Sequence, residues 1–387
     1  MTRSAAAGSR RRAVPVVALL LLSGCLIGWW LVAGAVGGLG YDWAILREAG
    51  LRLRLGQPVY LDLTGSQFWP GDVTLFYGPP VYAALALPLS FIDELLVRRL
   101  AIVFGVASVV VSAALLVGPV RTRLNRAALL SLAIGVVFSA AFAIGLIVTA
   151  SSLLVLLLLA GASIGLVRRT PLTVGFCLGT AAALRIYPGV LFLTLVVGRR
   201  WRELGIAIGV LAGWYVVGVL VAGVGTTEQY MHLLVSVSGV TAPNNATVAN
   251  LAAFAGVPAE LLWVPRVAST VVGLGLLIVG GSRLARAAGA STARVTEATE
   301  ILVSWGLAIS GMLMVAPLAW EHYLTALLVL VVAMMARTGH ARWGLAPVLL
   351  LPGWLGGIGL VLVPLAAVVS LSRSARSRTG ASGDRWA

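Results

Sequence analysis

The chain has 387 residues, of which 60% are hydrophobic and only 11% are charged, and its mean hydropathy is +1.01. A soluble domain of this length could not cover its surface with so few polar side chains. In a bilayer the same composition is expected, because each helical span needs roughly 20 apolar residues. The composition therefore predicts an all-α, polytopic integral membrane protein and excludes a soluble catalytic module.

The net charge is +15, and all 28 basic residues are arginine. They cluster in short turns between apolar runs, as cytoplasmic loops do under the positive-inside rule. The clusters are Arg10–Arg12, Arg121/Arg123/Arg126, Arg168/Arg169, Arg199/Arg200/Arg202, Arg283/Arg286/Arg294, Arg337/Arg342 and Arg373/Arg376/Arg378. The basic balance thus indicates membrane topology and not a nucleic-acid partner.

If every cluster is cytoplasmic, the chain makes about twelve membrane segments. Single spans are expected at 14–36, 98–118, 127–147, 149–167, 203–224, 257–280, 300–316 and 322–336, and a pair of short helices in each of 171–198 and 343–371. The domains are then a cytoplasmic basic tail (1–13), one transmembrane domain (14–371) and a cytoplasmic Arg/Ser-rich tail (372–387). A cleaved signal peptide would also fit the first run, but its length favours an uncleaved helix.

This topology leaves two long outer loops, 37–97 and 225–256, and puts most acidic residues on the outer face. Long outer loops indicate chemistry on that face. Within the first loop, residues 44–55 alternate apolar and charged side chains before Gly56 and Pro58. That pattern predicts an amphipathic helix on the membrane surface.

Asp42 follows the first apolar run directly. A carboxylate within a span or at its edge is costly, though less so at an interface. One interpretation is an interfacial carboxylate that faces water. The other is a general base that deprotonates a hydroxyl. Position alone leaves both open.

Arg185 interrupts the apolar stretch 174–197, and Tyr187-Pro188 follows it. An arginine at this depth must face a cavity, pair with a carboxylate or bind an anion. The alternative is a snorkelling arginine at a helix end. We favour anion binding, because a lipid-phosphate substrate would need such a cation.

The pair Glu321-His322 lies at an outer membrane edge after Trp320. A lone histidine is more often a structural residue than a ligand. The three histidines of the chain are dispersed without metal-ligand spacing, and neither a P-loop nor a dinucleotide fingerprint is visible. We therefore expect no metal and no cofactor.

Taken in order, these motifs resemble the GT-C glycosyltransferases that use polyprenyl-phosphate-mannose, specifically the actinobacterial alpha-1,2-mannosyltransferases of glycosyltransferase family 87. The resemblance covers roughly residues 41–337. The motifs are Tyr41-Asp42-Trp43, Leu55–Tyr60, Phe76–Pro80, Pro88-Leu89, Leu184–Pro188, Arg199–Arg202, Asn244–Thr247 and Trp320–His322.

The resemblance implies a GT-C-like fold in the cell membrane with its site on the extracytoplasmic face. Asp42 corresponds to the catalytic carboxylate, and Arg185 and His322 correspond to residues near the donor phosphate. The family usually has lysine at the position of Arg185, and arginine keeps the charge. The substrate-cavity candidates are Tyr41, Tyr77, Tyr187, Asn244, Asn245 and Glu321.

The implied reaction is an inverting transfer of mannose from polyprenyl-phosphate-mannose to a hydroxyl of a glycolipid or lipoglycan, with alpha-1,2 linkage. The implied partners are this donor, this acceptor and membrane lipids. Two alternatives stay open. One is a transporter or flippase of lipid-linked sugars, and the other is a GT-C enzyme that uses a different polyprenyl-phosphate sugar.

Overall fold

The structure is a computed structural model that describes residues 40–60, 76, 78–148, 151–237, 245–289, 294–352 and 355–380. Within these residues the chain is helical, as its composition predicts, and strand-like pairing is confined to one isolated antiparallel bridge between Asn245 and Trp320. The predicted first span, 14–36, lies outside the described residues.

The described α-helices are numbered here in chain order. They are α1 (Tyr41–Arg54), α2 (Pro80–Ala86), α3 (Glu94–Val117), α4 (Arg126–Val137), α5 (Ala140–Ile147), α6 (Ser152–Arg168), α7 (Pro171–Leu184), α8 (Phe192–Val197), α9 (Trp201–Ala222), α10 (Val224–Val237), α11 (Val248–Phe254), α12 (Trp263–Gly289), α13 (Arg294–Val315), α14 (Leu328–Thr338) and α15 (Gly356–Gly380). Short 3-10 helices connect several of them, at Leu87–Phe91, Gly118–Arg123, Tyr187–Leu191, Ala259–Leu261, Glu321–Leu327 and Ala341–Leu349.

Five described helical stretches are long and apolar enough to cross a membrane, and α4 with α5 makes a sixth if this bent pair is one span. The five are Glu94–Arg123, Trp201–Ala222, Ala259–Ala287, Arg294–Val315 and Glu321–Thr338. They overlap the predicted spans 98–118, 203–224, 257–280, 300–316 and 322–336. A membrane protein is thus supported by length and composition, whereas the count of about twelve segments stays a prediction.

The predicted span 127–147 is bent, because α4 and α5 meet at 54°. Ser139, between them, is extended. The N–H of Ala141 donates to the carbonyl of Leu350 at 3.3 Å, so a tertiary partner replaces a hydrogen bond lost at the break. On α4, a Cβ at Gly135 would lie 1.9 Å from the Gly344 carbonyl oxygen. Only glycine permits that approach of α4 to the 3-10 helix.

Two runs were expected to form pairs of short helices, and the first does so, whereas the second ends in the 25-residue helix α15; the membrane crossing of each pair stays a prediction. The first contains α7 and α8, separated at Arg185. The second contains the 3-10 helix Ala341–Leu349 and α15. Helix α15 continues to Gly380, past residue 371, where the transmembrane domain was expected to end.

The helix bundle has two ends. Helix α6 runs from Ser151, beside Arg185, to Arg168 and Arg169, and its 17 residues span about 25 Å. We call the end with Ser151 and Arg185 the site end. The opposite end, which we call the arginine end, carries Arg169, Arg200, Arg283 and Arg337, each paired with a glutamate.

Helices α13 and α14 span the same two ends. Glu297 and Glu300 lie near the start of α13 at the arginine end, and the chain returns from the 3-10 helix Glu321–Leu327 to Arg337 at the end of α14. Both helices are almost wholly buried, whereas α9 and α12 are mostly exposed. The bundle therefore has a central layer of α13 and α14 and an outer layer that can face lipid.

Helix α1 confirms the helix predicted within 44–55, and it ends before Gly56, whose φ is +67°. It packs closely on the segment 86–92. A Cβ at Gly50 would lie 2.3 Å from the Ala86 carbonyl oxygen. The Nε atom of Arg47 donates to the Ile92 carbonyl at 2.8 Å, and Nη1 of Arg54 donates to the Ser90 carbonyl at 3.0 Å. The segment predicted as the second outer loop contains α10 and α11.

Candidate active site

Asp42 lies in the first turn of α1, and the backbone around it is fixed from two sides. The N–H groups of Gly40 and Asp42 donate to the carbonyls of Ile147 and Val148, both at 3.0 Å. Gly40 has φ +73° and packs against Arg98, whose Cβ would be 2.9 Å from a Cβ at residue 40. The start of α1 is therefore docked on the C-terminal end of α5.

Arg185 lies where α7 ends. Its backbone is extended, with φ −145° and ψ 126°, although its N–H still donates to the Ala181 carbonyl at 2.9 Å. Tyr187-Pro188 opens the next 3-10 helix, because proline has no N–H with which to continue α7. The break turns the guanidinium into the bundle, towards Ser151 and Asp42.

Asp42 and Arg185 form a loose ion pair. Nη2 of Arg185 is 3.8 Å from Oδ2 of Asp42, and the two side chains are 14% and 23% exposed, respectively. Burial raises the pKa of the Asp42 carboxyl, while the Arg185 charge and a hydrogen bond from the Ser151 backbone oppose that rise. Of the interpretations considered for Arg185, pairing with a carboxylate matches its contacts.

Ser151 holds the guanidinium. Nε of Arg185 donates to the Ser151 hydroxyl at 2.9 Å, and Nη2 donates to the same oxygen. Ser151 is 3% exposed. These contacts fix the plane of the guanidinium.

Aromatic rings surround Arg185. Its Cζ is 6.0 Å from the ring centroid of Tyr82 and 5.7 Å from that of Tyr323, within cation–π range. Tyr187 stacks on Tyr323 with centroids 4.7 Å apart. A buried cation on aromatic faces keeps its charge with little water around it.

His322 is 9% exposed and meets the Tyr323 ring edge-on, with centroids 5.0 Å apart. Its Nε2 is buried and has no hydrogen-bond partner among the described residues. Burying a polar atom without a partner costs about 1–3 kcal/mol. This nitrogen is therefore suited to a ligand that completes the site.

Residues 245–247, which directly precede α11, lie at the same end of the bundle. Asn245 pairs with Trp320 in the isolated bridge, and the N–H of Ala246 donates to the Ala319 carbonyl at 2.6 Å. Asn245 thereby lies beside Glu321, which is 6% exposed and directly precedes His322. The structure brings together two motifs that are 75 residues apart in the sequence.

The remaining cavity candidates divide into two groups. Tyr41 is half-exposed next to Asp42 and Tyr187 is buried, whereas Tyr77 and Asn244 lie outside the described residues. A buried aromatic cluster formed by Tyr60, Phe76, Tyr82 and Tyr230 packs beside the site. The Tyr60 hydroxyl donates to the Gly78 carbonyl at 2.7 Å, which ties the cluster to the Phe76–Pro80 motif.

The sequence did not identify three residues of this site, which are Ser151, Tyr82 and Tyr323. The polar run Thr149–Ser152, within an apolar stretch of the sequence, was the available signal for Ser151. Within the described part of the chain, no group of three or more His, Cys, Asp or Glu side chains could hold a metal ion.

The family model of glycosyltransferase family 87 matches residues 76–317 of this chain. The matched stretch includes Ser151, Arg185 and Asn245, while His322 follows its end by five residues and Asp42 precedes its start by 34 residues. No curated protein matches the chain.

Proposed function

Since this chain belongs to glycosyltransferase family 87, we propose that it transfers mannose from polyprenyl-phosphate-mannose to a hydroxyl of a glycolipid or lipoglycan. The proposed linkage is alpha-1,2, and the proposed site faces the outside of the cell membrane. The observation that carries the proposal is the pairing of Asp42 with Arg185, 3.8 Å apart at one end of the bundle. The transfer needs a base and a cation close together.

In the proposed reaction, Asp42 takes the proton of the acceptor hydroxyl as its oxygen attacks the anomeric carbon. The bond from that carbon to the phosphate oxygen breaks, and its electron pair leaves with the polyprenyl phosphate. Arg185 and His322 would stabilise the growing phosphate charge. A beta-linked donor would give an alpha-linked product, because a single displacement inverts the anomeric carbon.

The surroundings of each group support these roles. The side chain of Asp42 keeps 23% of its surface exposed, so an acceptor can reach it. The unpartnered Nε2 of His322 would gain a partner from a bound phosphate. Tyr41, Tyr187, Asn245 and Glu321 are proposed to line the substrate cavity, together with Tyr77 and Asn244. The family assignment favours this enzyme over a transporter of lipid-linked sugars.

The test is the transfer of radiolabelled mannose from polyprenyl-phosphate-mannose in membranes that contain the wild-type protein or Asp42→Asn. The amide keeps the size of the carboxylate but takes no proton, so we expect a loss of about 10²–10⁴-fold in rate. Glu48→Gln is the matched control, because Glu48 is on the same helix and forms a salt bridge with Arg52, one turn later on that helix. Normal transfer by Asp42→Asn would exclude it as the base.

The sugar and the orientation need separate measurements. A lipid-linked pentose offered in the same assay should give far less transfer than the mannose donor, and the reverse result would reassign the sugar. Because arginine-rich loops stay inside, a reporter fused after Ser374 should be active only in the cytoplasm. A cysteine at the exposed Gln57 should react with an impermeant thiol reagent added from outside.

A further inference from the structure

Ser151 contacts both charged groups of the site. Its hydroxyl accepts hydrogen bonds from Nε and Nη2 of Arg185, its backbone bonds the Asp42 carboxylate, and its side chain is hydrogen-bonded to Tyr82. Val148, three residues earlier, accepts from the N–H of Asp42. Val148 and Ser151 thus hold the carboxylate and the cation relative to each other.

The distance between the two charges indicates what this contact does. A direct hydrogen bond between arginine and a carboxylate is about 2.7–2.9 Å long and is often bidentate. Here the separation is 3.8 Å, and two of the guanidinium nitrogens, Nε and Nη2, are bound to Ser151. Arg185 is also hydrogen-bonded to the Tyr323 side chain, but the Ser151 hydroxyl is the contact that binds both Nε and Nη2, the nitrogen that faces Asp42.

We infer that Ser151 is a positioning residue that holds Arg185 near Asp42 without letting the two close into a direct pair. The inference rests on the proposed function. A closed pair would occupy the oxygens with which Asp42 must take the acceptor proton, and it would turn the guanidinium away from the leaving phosphate. The hydroxyl keeps the base available and the cation correctly oriented.

Ser151→Ala removes the hydroxyl and leaves the backbone bond in place. We expect the rate of transfer to fall by about 10²-fold, the loss that displacement of a catalytic group by about 1 Å can cause. We also expect the acid limb of the pH–rate profile to move to lower pH, since a closer arginine stabilises the ionised carboxylate. A general loss of packing would lower the rate without moving the limb.

Other titratable or charged groups face Asp42, and their contribution to the pH–rate profile must be distinguished from that of Asp42. They are Tyr41, Tyr82, Tyr323 and Arg185, with the Arg98–Glu94 pair beyond Gly40. Tyrosine and arginine ordinarily titrate well above the acid limb. His322 lies beyond Tyr323, so the profile is repeated in a His322→Gln background, where the shift caused by Ser151→Ala should persist.

Two variants complete the design. Ser151→Thr retains the hydroxyl and should restore most of the rate and the original limb. Ser152→Ala is the matched control, because Ser152 is the adjacent buried serine and its hydroxyl has no partner among the described residues. It should transfer like the wild type. If Ser151→Ala keeps the wild-type rate, or loses rate with the limb unmoved or raised, the positioning role is overturned. If the wild type itself transfers no lipid-linked sugar, the proposed function fails first.

Discussion

The arginine end holds its charges in close ion pairs, whereas the pair of Asp42 and Arg185 at the site end is open. At the arginine end, Glu297 is 2.5 Å from Arg169 and Glu203 is 3.3 Å from Arg200. Glu300 is 2.7 Å from Arg283 and also contacts Arg337. At the site end, Asp42 and Arg185 stay 3.8 Å apart.

This difference separates structural from reactive charge. Three of the four arginine-end pairs join α6 to α13 and α12 to α13 and α14, so their charges connect helices. The site-end pair is kept open by the Ser151 hydroxyl and lies near His322, whose Nε2 has no hydrogen-bond partner within the described part of the chain. Substitutions at the arginine end should therefore lower stability, and substitutions at the site end should lower activity in a folded protein.

Among the substitutions that test this comparison of the two ends, the largest effect is expected from Arg185→Ala. It removes the cation that faces the leaving phosphate, and loss of one such charge-stabilising group costs about 10²–10³-fold in rate. Arg185→Lys should keep part of the rate, because it retains the charge but not the planar fork. The measurement is the initial rate of sugar transfer at saturating donor, normalised to folded protein.

Arg169→Ala at the other end of α6 is the control for this prediction. It removes an arginine that is paired with Glu297, and it should leave the rate per folded molecule unchanged. If Arg185→Ala and Arg169→Ala lose the same small amount, Arg185 is a structural arginine and the contrast between the two ends disappears.

Glu300→Gln should show the reverse behaviour. It leaves Arg283 and Arg337 without their shared carboxylate, and an unpaired, partly buried charged group costs about 1–3 kcal/mol of stability. We expect a lower midpoint of thermal denaturation in detergent and an unchanged rate per folded molecule. A variant that melts like the wild type but transfers slowly would connect the arginine end to catalysis.

The sequence predicts those features of the structure that have a helical periodicity or a charged residue within an apolar stretch. Helix α1 and span α9 follow from amphipathic and apolar patterns, and Asp42 and Arg185 are conspicuous in apolar surroundings. Ser151 is not conspicuous, because serines in such helices usually bond their own backbone. Ser163 and Ser310 do so with the carbonyls of Leu159 and Gly306.

The bend between α4 and α5 could not be predicted from the local sequence either. A break is stabilised there by the Leu350 carbonyl, which is more than 200 residues away in the sequence. Local patterns report on neighbours in the chain, whereas both Ser151 and this bend depend on partners supplied by the tertiary fold.

The rate of transfer should also depend on pH, through the ionisation of Asp42. Burial raises the pKa of Asp42 above the ordinary aspartate value of about 3.9. A base acts only when it is ionised, so activity should be lost as the pH falls through this raised pKa, by about tenfold for each pH unit below it. A profile of kcat/KM from pH 4 to 8 measures the midpoint. Full activity at pH 4 would mean that the group which titrates is not a buried carboxylate.

The smallest effect is expected from Glu94→Gln, which tests whether the site end contains a second important ion pair. Oε1 of Glu94 is 2.6 Å from Nη2 of Arg98, one helical turn later, and the side chains are 49% and 28% exposed. Exposed pairs of this spacing contribute about 0.3–0.5 kcal/mol. The rate of transfer should stay within about twofold of wild type, and the melting midpoint should fall less than for Glu300→Gln.

Glu94→Gln is informative because Arg98 packs against Gly40, the residue that begins α1 two positions before Asp42. The aliphatic part of the arginine makes that contact, and it persists when the glutamate charge is removed. A tenfold loss of transfer with normal melting would show instead that Glu94 orients Arg98 and, through it, the start of α1. The site end would then depend on a closed ion pair as well as an open one.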